Sequence, residues 1–128
     1  MSVSGTITPS SIVQLVDTFY ARVREDAVLG PVFEAKLAGH WHEHMLRMVA
    51  FWTKVLLDTG EFQGNVFGKH MQLSGIGKEH FVHWLTLFRM TAIEVFGLEG
   101  AEPAIVVANR IASSLQLGFF GEIPVKVS

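Results

Sequence analysis

The sequence predicts an all-α protein. Apolar residues recur at the 3.6-residue spacing of a helix in four long stretches, whereas no stretch shows the strict alternation typical of a strand. No internal repeat or low-complexity segment is present. The 128 residues correspond in size to one domain. We therefore expect a single helical domain over residues 1–128, with loose termini at about 1–8 and 120–128.

The first half of the chain predicts two long helices. The first begins after Thr8, whose side chain suits the N-cap, with Pro9 suited to the first turn. Its apolar positions are Ile12, Leu15, Val16, Phe19 and Val23. Leu29-Gly30-Pro31 is expected to break or bend the chain, because proline disfavours helix in the residue before it. A second helix is predicted from about Trp41 to Leu57, ending at Asp58-Thr59-Gly60.

The second half predicts two further helices after a loop. The stretch from Asp58 to Gly68 carries three glycines and indicates a loop, followed by a short segment around Lys69 to Leu73 that contains His70. The next helix presents on one face Phe81, Trp84, Leu85, Phe88, Ala92, Val95 and Phe96. It is expected to stop at Gly97. A last helix starts near Pro103 and carries Ile105, Ala108, Ile111, Ala112 and Leu115.

Composition narrows the classes of function. The absence of Cys excludes disulfides, thiolate metal sites and cysteine nucleophiles. A net charge of −2 argues against a nucleic-acid partner. The start of the chain is unlike a signal peptide, and no apolar run is expected to span a membrane, so we expect a cytoplasmic location. The hydrophobic content of 49%, with ten Phe and three Trp, indicates apolar surface available for a large ligand or an oligomer interface.

The stretch HWHEHM, from His40 to Met45, places three histidines at alternate positions. At roughly 100° per residue, His40 and His44 lie near one line of a helix, while His42 points almost oppositely. One helix cannot present all three to a single ion, and His42 is expected on the solvated surface. The i, i+4 pair alone does not make the zinc-protease motif, and a closed zinc site would need two more ligands.

Two other observations give histidines a functional interpretation. Helical geometry sets His44 among Met48, Phe51 and Val55, with Trp41 and Trp52 on the flank. It is therefore either a satisfied core residue or a functional one. His70 lies in a short segment that is barely stable alone, so a metal bond would explain its position, although an exposed loop histidine is the alternative. His80 and His83 are expected to be solvated surface residues.

Together these features indicate a planar, apolar cofactor that needs one strong axial ligand. Haem iron is commonly held by a single proximal imidazole. Two alternatives remain open from the residues themselves. One is a helical protein with a non-haem metal site, and the other is an interaction module with no cofactor.

The sequence also resembles the truncated haemoglobins, specifically group III. The resemblance is carried by FYARVREDAVLGPVF (Phe19 to Phe33), HMLRMVAFWTKVLLDTGEFQG (His44 to Gly64), KH (Lys69-His70) and HFVHWLTLF (His80 to Phe88). It covers roughly residues 10–96 in register, and the C-terminal helix matches only in character. It implies a shortened globin fold, a two-over-two helical sandwich enclosing haem b (iron protoporphyrin IX).

The resemblance also implies roles for individual residues. His70 matches the proximal iron ligand, and Tyr20 and Trp84 match the hydrogen-bond donors to the bound gas. The remaining positions are His44 as the distal histidine, Met48 as a distal apolar lining, Phe33 against the haem plane and Trp52 as core support beside the pocket.

These roles predict slow release of O2. Bound O2 carries partial negative charge, and each hydrogen bond to it contributes about 1 kcal/mol, or up to ~3 when charge is involved. Two donors, Tyr20 and Trp84, favour oxidation of nitric oxide or redox sensing with an unidentified reductase over oxygen storage and delivery. Weak peroxidase activity is a further expectation, because His70 has no acidic residue near it in the sequence to make it strongly electron-donating.

Overall fold

The computed structural model describes residues 7–60, 62, 70 and 75–121. The helices in these ranges are α1 (Pro9–Glu25), α2 (Leu29–Leu37), α3 (Trp41–Leu57), α4 (Lys78–Gly100) and α5 (Glu102–Phe120). No strand occurs among the described residues, and the all-α prediction is confirmed. Most of the two termini predicted to be loose lies outside these ranges.

The first helix begins as predicted. Thr8 is its N-cap: the Thr8 Oγ1 accepts the N–H of Ser11 at 3.0 Å, and the Thr8 N–H donates to the Ser11 Oγ at 2.8 Å. These two bonds satisfy polar groups that a helix start otherwise leaves unpaired. The buried face of α1 comprises Ile12, Leu15, Val16, Phe19, Tyr20 and Val23. It therefore contains every predicted apolar position, with Tyr20 in addition.

The predicted break at Leu29-Gly30-Pro31 is wrong by about one turn. The chain leaves α1 at Asp26, and these three residues form the first turn of α2, a helix that the sequence pattern did not reveal. Proline is tolerated there because the first N–H groups of a helix have no partner within it. The Asp26 Oδ1 accepts the N–H groups of Val28 at 2.8 Å and Leu29 at 2.9 Å. The carboxylate therefore caps α2.

The later boundaries agree more closely with the sequence. Helix α3 has the predicted limits and ends at Asp58, whose φ of 56° is left-handed. The segment from Lys69 to Leu73 lies outside the described residues apart from His70. Within α4 the backbone leaves helical geometry at Gly97, at φ 84° and ψ 166°, as expected for the predicted stop, and one further turn follows. Pro103 lies in the first turn of α5.

The helices form two packed pairs. Helix α1 contacts α2, α3 and α4, and α4 packs in turn against α5. The pairs α1/α3 and α4/α5 thus make the two-over-two arrangement that the resemblance implied. Phe88 of α4 lies at the centre of their interface, with edge-to-face contact to Phe19 and stacking contact to Trp52. The space left between the pairs forms the cavity described below.

One helix bears on the expectation that no segment of the chain spans a membrane. By length and composition alone, the 23-residue α4 is apolar enough to cross a membrane. A single helix of this kind is weak evidence of a span, because the core helix of a globular protein meets the same criteria. Its side chains Phe81, Leu85, Phe88 and Phe96 are buried in the core. Its Glu94 pairs with Arg22 of α1 at 2.7 Å.

Candidate functional site

A cavity of about 520 Å³ lies between the two helix pairs. Its volume falls in the range of small-molecule and cofactor sites, and its walls are largely aromatic and aliphatic. Seven predicted site residues line it: Tyr20, Phe33, His44, Met48, Trp52, His70 and Trp84. The structure therefore brings together, around one space, residues from four helices and from the short histidine-bearing segment.

His44 presents an unpaired nitrogen in this cavity. Its Nε2 is buried and has no hydrogen-bond partner among the described residues. Burial, together with positive charge on His70 and Arg47, lowers the pKa of His44 to about 4. The imidazole is therefore neutral near pH 7. Because buried polar atoms normally find a partner, the free Nε2 indicates that a ligand of this cavity supplies one.

Tyr20 lies directly against His44. The two rings are 4.9 Å apart and nearly perpendicular, and the Tyr20 ring also contacts Phe33 at 6.0 Å. Only 5% of the Tyr20 surface is exposed. Burial raises the pKa of its phenol well above the usual value, so the hydroxyl remains protonated and can donate a hydrogen bond.

Two tryptophans, Trp52 and Trp84, both stack on the ring of Phe88. Trp52 of α3 lies 5.0 Å from Phe88 at an interplanar angle of 22°, and Trp84 of α4 lies 5.7 Å from it at 15°. Trp52 is buried and Trp84 half-buried, and both line the cavity. Trp84 also meets Phe19 edge to face at 5.9 Å. The aromatic packing therefore fixes both indole rings at the cavity wall.

His70 belongs to the same site. It is half-buried, lines the cavity, and its charge contributes to lowering the pKa of His44. The alternative of an exposed loop histidine does not agree with this position. The two imidazoles thus share one apolar space, although they come from different parts of the chain.

The expectations for the other histidines were partly wrong. His42 is exposed as predicted. The prediction that His80 and His83 are merely solvated is wrong, since each has a specific partner. The His80 Nδ1 accepts the N–H of Gly77 at 2.9 Å at the start of α4, and the His83 Nδ1 lies 3.1 Å from Asp26. Sequence patterns could not show the second contact, because 57 residues separate its partners.

A polar cluster of Arg24, Glu34 and Trp41 holds the start of α3 in place. The Trp41 Nε1 donates to the Glu34 Oε1 at 3.1 Å, and the Arg24 guanidinium lies 4.4 Å from the Trp41 ring. Arg24 also approaches Glu34 at 3.7 Å. The Trp41 ring is in turn 6.1 Å from His44, so the cluster positions the face of α3 that carries this histidine. Val55 is 38% exposed, so it does not belong to the apolar surroundings predicted for His44.

The residues present fit a haem group. The described residues contain no group of three or more His, Cys, Asp or Glu side chains able to hold a metal ion. A porphyrin brings four nitrogen ligands of its own, so its iron needs only one imidazole from the protein. The cavity supplies histidines, flat aromatic walls and an unpaired His44 Nε2 for the ligand side.

Comparison with known proteins identifies the fold and the family. No family model matches the chain. A group 3 truncated haemoglobin of Campylobacter jejuni is 34% identical over 114 residues, which cover 87% of this chain and 90% of that protein. The crystal structure of a group III truncated haemoglobin from Campylobacter jejuni aligns with a TM-score of 0.85 at 33% identity, covering 90% of this chain and 93% of the other.

These likenesses confirm the shortened globin fold and imply a haem cofactor. They also support the binding of small diatomic ligands, which is a property of globins. The matches cover 87% and 90% of this chain at 34% and 33% identity, which is sufficient for assignment to the family. The chain belongs to the group III truncated haemoglobins.

Proposed function

We propose that the cavity binds haem b with His70 as the single proximal ligand, and that the protein retains O2 for the oxidation of nitric oxide or for redox sensing. The observation that carries the proposal is the pairing of a buried phenol, Tyr20, with a neutral imidazole, His44, in the cavity that His70 also lines. Haem supplies the iron atom that binds a diatomic ligand.

The assignment of the two histidines depends on their surroundings. His44 lies in contact with Tyr20 and Trp41, a phenol and an indole. A phenol and an indole are both hydrogen-bond donors, so this is the side of the cavity where a bound gas would receive hydrogen bonds. His70 comes from a separate short segment, for which a bond to iron would provide an anchor. His70 is therefore the proposed proximal ligand, and His44 the distal histidine.

Tyr20 and Trp84 are the proposed hydrogen-bond donors. The buried phenol stays neutral, and an indole N–H is a donor only, so both can serve an acceptor that carries partial negative charge. Phe33, Met48 and Trp52 complete the apolar wall of the same cavity. Excluding water strengthens each donor, because hydrogen bonds are electrostatically stronger at low dielectric.

Neutral His44 can have one of two chemical roles on the distal side of the haem. It can donate a hydrogen bond to the gas, or its free Nε2 can bind iron when no gas is present. The ferric spectrum distinguishes them. A low-spin, six-coordinate spectrum that becomes high-spin in His44→Leu would identify iron ligation, and an unchanged spectrum would identify hydrogen bonding or gating.

Retention of O2 favours reaction over delivery. A bound haem would supply the oxidation of nitric oxide to nitrate, in which O2 provides two oxygen atoms, and each turnover would need one electron from an unidentified reductase. A strong peroxidase would use a carboxylate to make His70 electron-donating. Weak peroxidase activity is a second, minor proposal for the same haem site.

Mixing the O2-saturated ferrous protein with nitric oxide tests the proposal. We expect rapid conversion to the ferric protein with about one nitrate per haem, followed by absorption spectroscopy and nitrate analysis. A protein that releases O2 quickly and stays inert to nitric oxide would instead belong to the storage and delivery class.

A further inference from the structure

A second cavity lies between the C-terminal half of α4 and the first part of α5. Its volume is about 670 Å³, within the range of small-molecule sites. It is lined by Arg89, Leu98, Glu102, Ile105, Val106, Asn109, Arg110 and Ser113. None of these described residues lines the candidate haem cavity, which takes Ile111, Ala112 and Leu115 from the same helix. The second cavity is therefore a separate space on another face of α5.

Two residues that line this cavity each carry a buried polar atom without a partner among the described residues. The Asn109 side chain belongs to a residue that is only 8% exposed, and its Oδ1 makes no hydrogen bond within the described residues. The Arg89 Nε is likewise buried and unbonded. One is an acceptor and the other a donor. Buried groups of this kind are normally satisfied, so the pair indicates a molecule that presents both an acceptor and a donor.

The charges in the cavity indicate the nature of that molecule. Arg22 and Arg24 elsewhere in the protein face Glu94 and Glu34 respectively. In contrast, Arg89 and Arg110 make no ion pair in the described part of the chain. The Glu102 carboxylate also lines the cavity, so the two arginines leave the lining with a net excess of one positive charge. Two guanidinium groups at one cavity suit an anion, because their planar forks bind carboxylates with paired hydrogen bonds.

Three of the remaining lining residues are apolar, beside the polar Glu102 and Ser113. Leu98 is 69% exposed and Val106 is 38% exposed, and Ile105 lies beside them on the same cavity wall. A short alkyl chain placed along these side chains would cover apolar surface that now faces solvent. A ligand that fits the whole cavity is therefore amphipathic, with its charged end at the arginines.

We propose that this cavity binds a small hydroxycarboxylic acid with an alkyl chain. Its carboxylate would bind Arg89 and Arg110, its hydroxyl would donate to the Asn109 Oδ1, and its chain would cover Leu98 and Val106. The proposal is independent of the haem chemistry, because the two cavities share no described lining residue.

Calorimetric titration of the protein with three probes tests the proposal. The ferrous protein is first saturated with carbon monoxide, so that no probe can bind at the iron. We expect saturable one-to-one binding of 2-hydroxyoctanoate, several-fold weaker binding of octanoate, which lacks the hydroxyl, and at least about ten-fold weaker binding of 1-octanol, which lacks the charge. Binding of the two anions should weaken as salt is added.

Variants locate the bound probe. Arg110→Ala should weaken binding of 2-hydroxyoctanoate by at least about ten-fold, and Asn109→Leu should abolish the preference over octanoate. Lys54→Ala, which removes an exposed cation from α3, is the matched control and should leave binding unchanged. The haem absorption bands should be unchanged in all three variants. In the wild-type protein, the Arg89 Nε–H resonance should shift when the probe is added.

Three results would overturn the proposal. The first is dissociation constants weaker than about 10 mM for every probe. The second is equal binding by the wild type and Arg110→Ala, an exposed position whose substitution does not threaten folding. The third is a crystal structure grown with 2-hydroxyoctanoate in which only water bridges Arg89 and Asn109.

Discussion

The Tyr20 hydroxyl is expected to slow the release of O2, and Tyr20→Phe removes that single group. The ring stays in place, with its contacts to Phe19 at 4.9 Å, Phe33 at 6.0 Å and His44 at 4.9 Å. The substitution therefore changes the hydrogen bonding of the cavity with little effect on its packing.

The expected magnitude follows from the state of the phenol. Because burial keeps Tyr20 protonated, it offers one O–H donor to the gas ligand. A neutral hydrogen bond contributes about 1 kcal/mol and a charge-assisted one up to ~3 kcal/mol, which corresponds to roughly a five-fold to 150-fold faster dissociation of O2 in Tyr20→Phe. Stopped-flow mixing of the O2-saturated protein with carbon monoxide measures this rate.

The two tryptophans stacked on Phe88 provide a matched comparison. Trp84→Phe should also speed O2 release, whereas Trp52→Phe removes an indole that is proposed to support the core and should change the rate by less than about two-fold. The effects of Tyr20→Phe and Trp84→Phe should not add, because both donors serve one ligand. Unchanged O2 dissociation in both of these variants would refute the proposal that the two residues face the gas.

Further predictions concern stability and its dependence on pH. Burial by itself would raise the pKa of Asp26, but the N–H of Leu29, the His83 ring and the N–H of Val28 together lower it. The stability from this carboxylate is therefore present above its unfolded pKa of about 3.9 and lost as pH falls through the lower folded value. Asp26→Asn should lower the free energy of unfolding by about 1–2 kcal/mol at pH 7, with a smaller difference near pH 3 in urea titrations; a difference independent of pH would contradict this. Gly97→Ala should cost about 1–3 kcal/mol, because its φ and ψ suit only glycine, while Gly118→Ala in α5 should be neutral or stabilising; equal effects in thermal unfolding would contradict the strain argument.

The long helices were predictable because their signals are local. The face of α1 from Ile12 to Val23 follows from spacing alone, and its start follows from Thr8 and Pro9. Helix α2 was missed because its start depends on Asp26 and on a close approach to α1. A Cβ at Gly30 would lie 2.9 Å from the Arg24 carbonyl oxygen, so the glycine is required by tertiary packing rather than by a break in the helix.

The family resemblance predicted more of the candidate site than residue spacing alone could. Periodicity placed His44 on an apolar face but could not decide between a core and a functional role. The family resemblance joined it to Tyr20 and His70, and the structure places all three at one cavity. Contacts between residues far apart in the sequence, such as that of His83 with Asp26, could not be predicted, because no local sequence pattern indicates them.

The identity of the proximal ligand is the central claim, and the absorption spectrum of His70→Gly tests it most directly. We expect this variant to lose stable haem or the spectrum of an imidazole-ligated iron, and to regain that spectrum when free imidazole is added. His44→Gly should keep the proximal imidazole signature throughout. A normal spectrum in His70→Gly, together with loss of the imidazole signature in His44→Gly, would contradict the assignment.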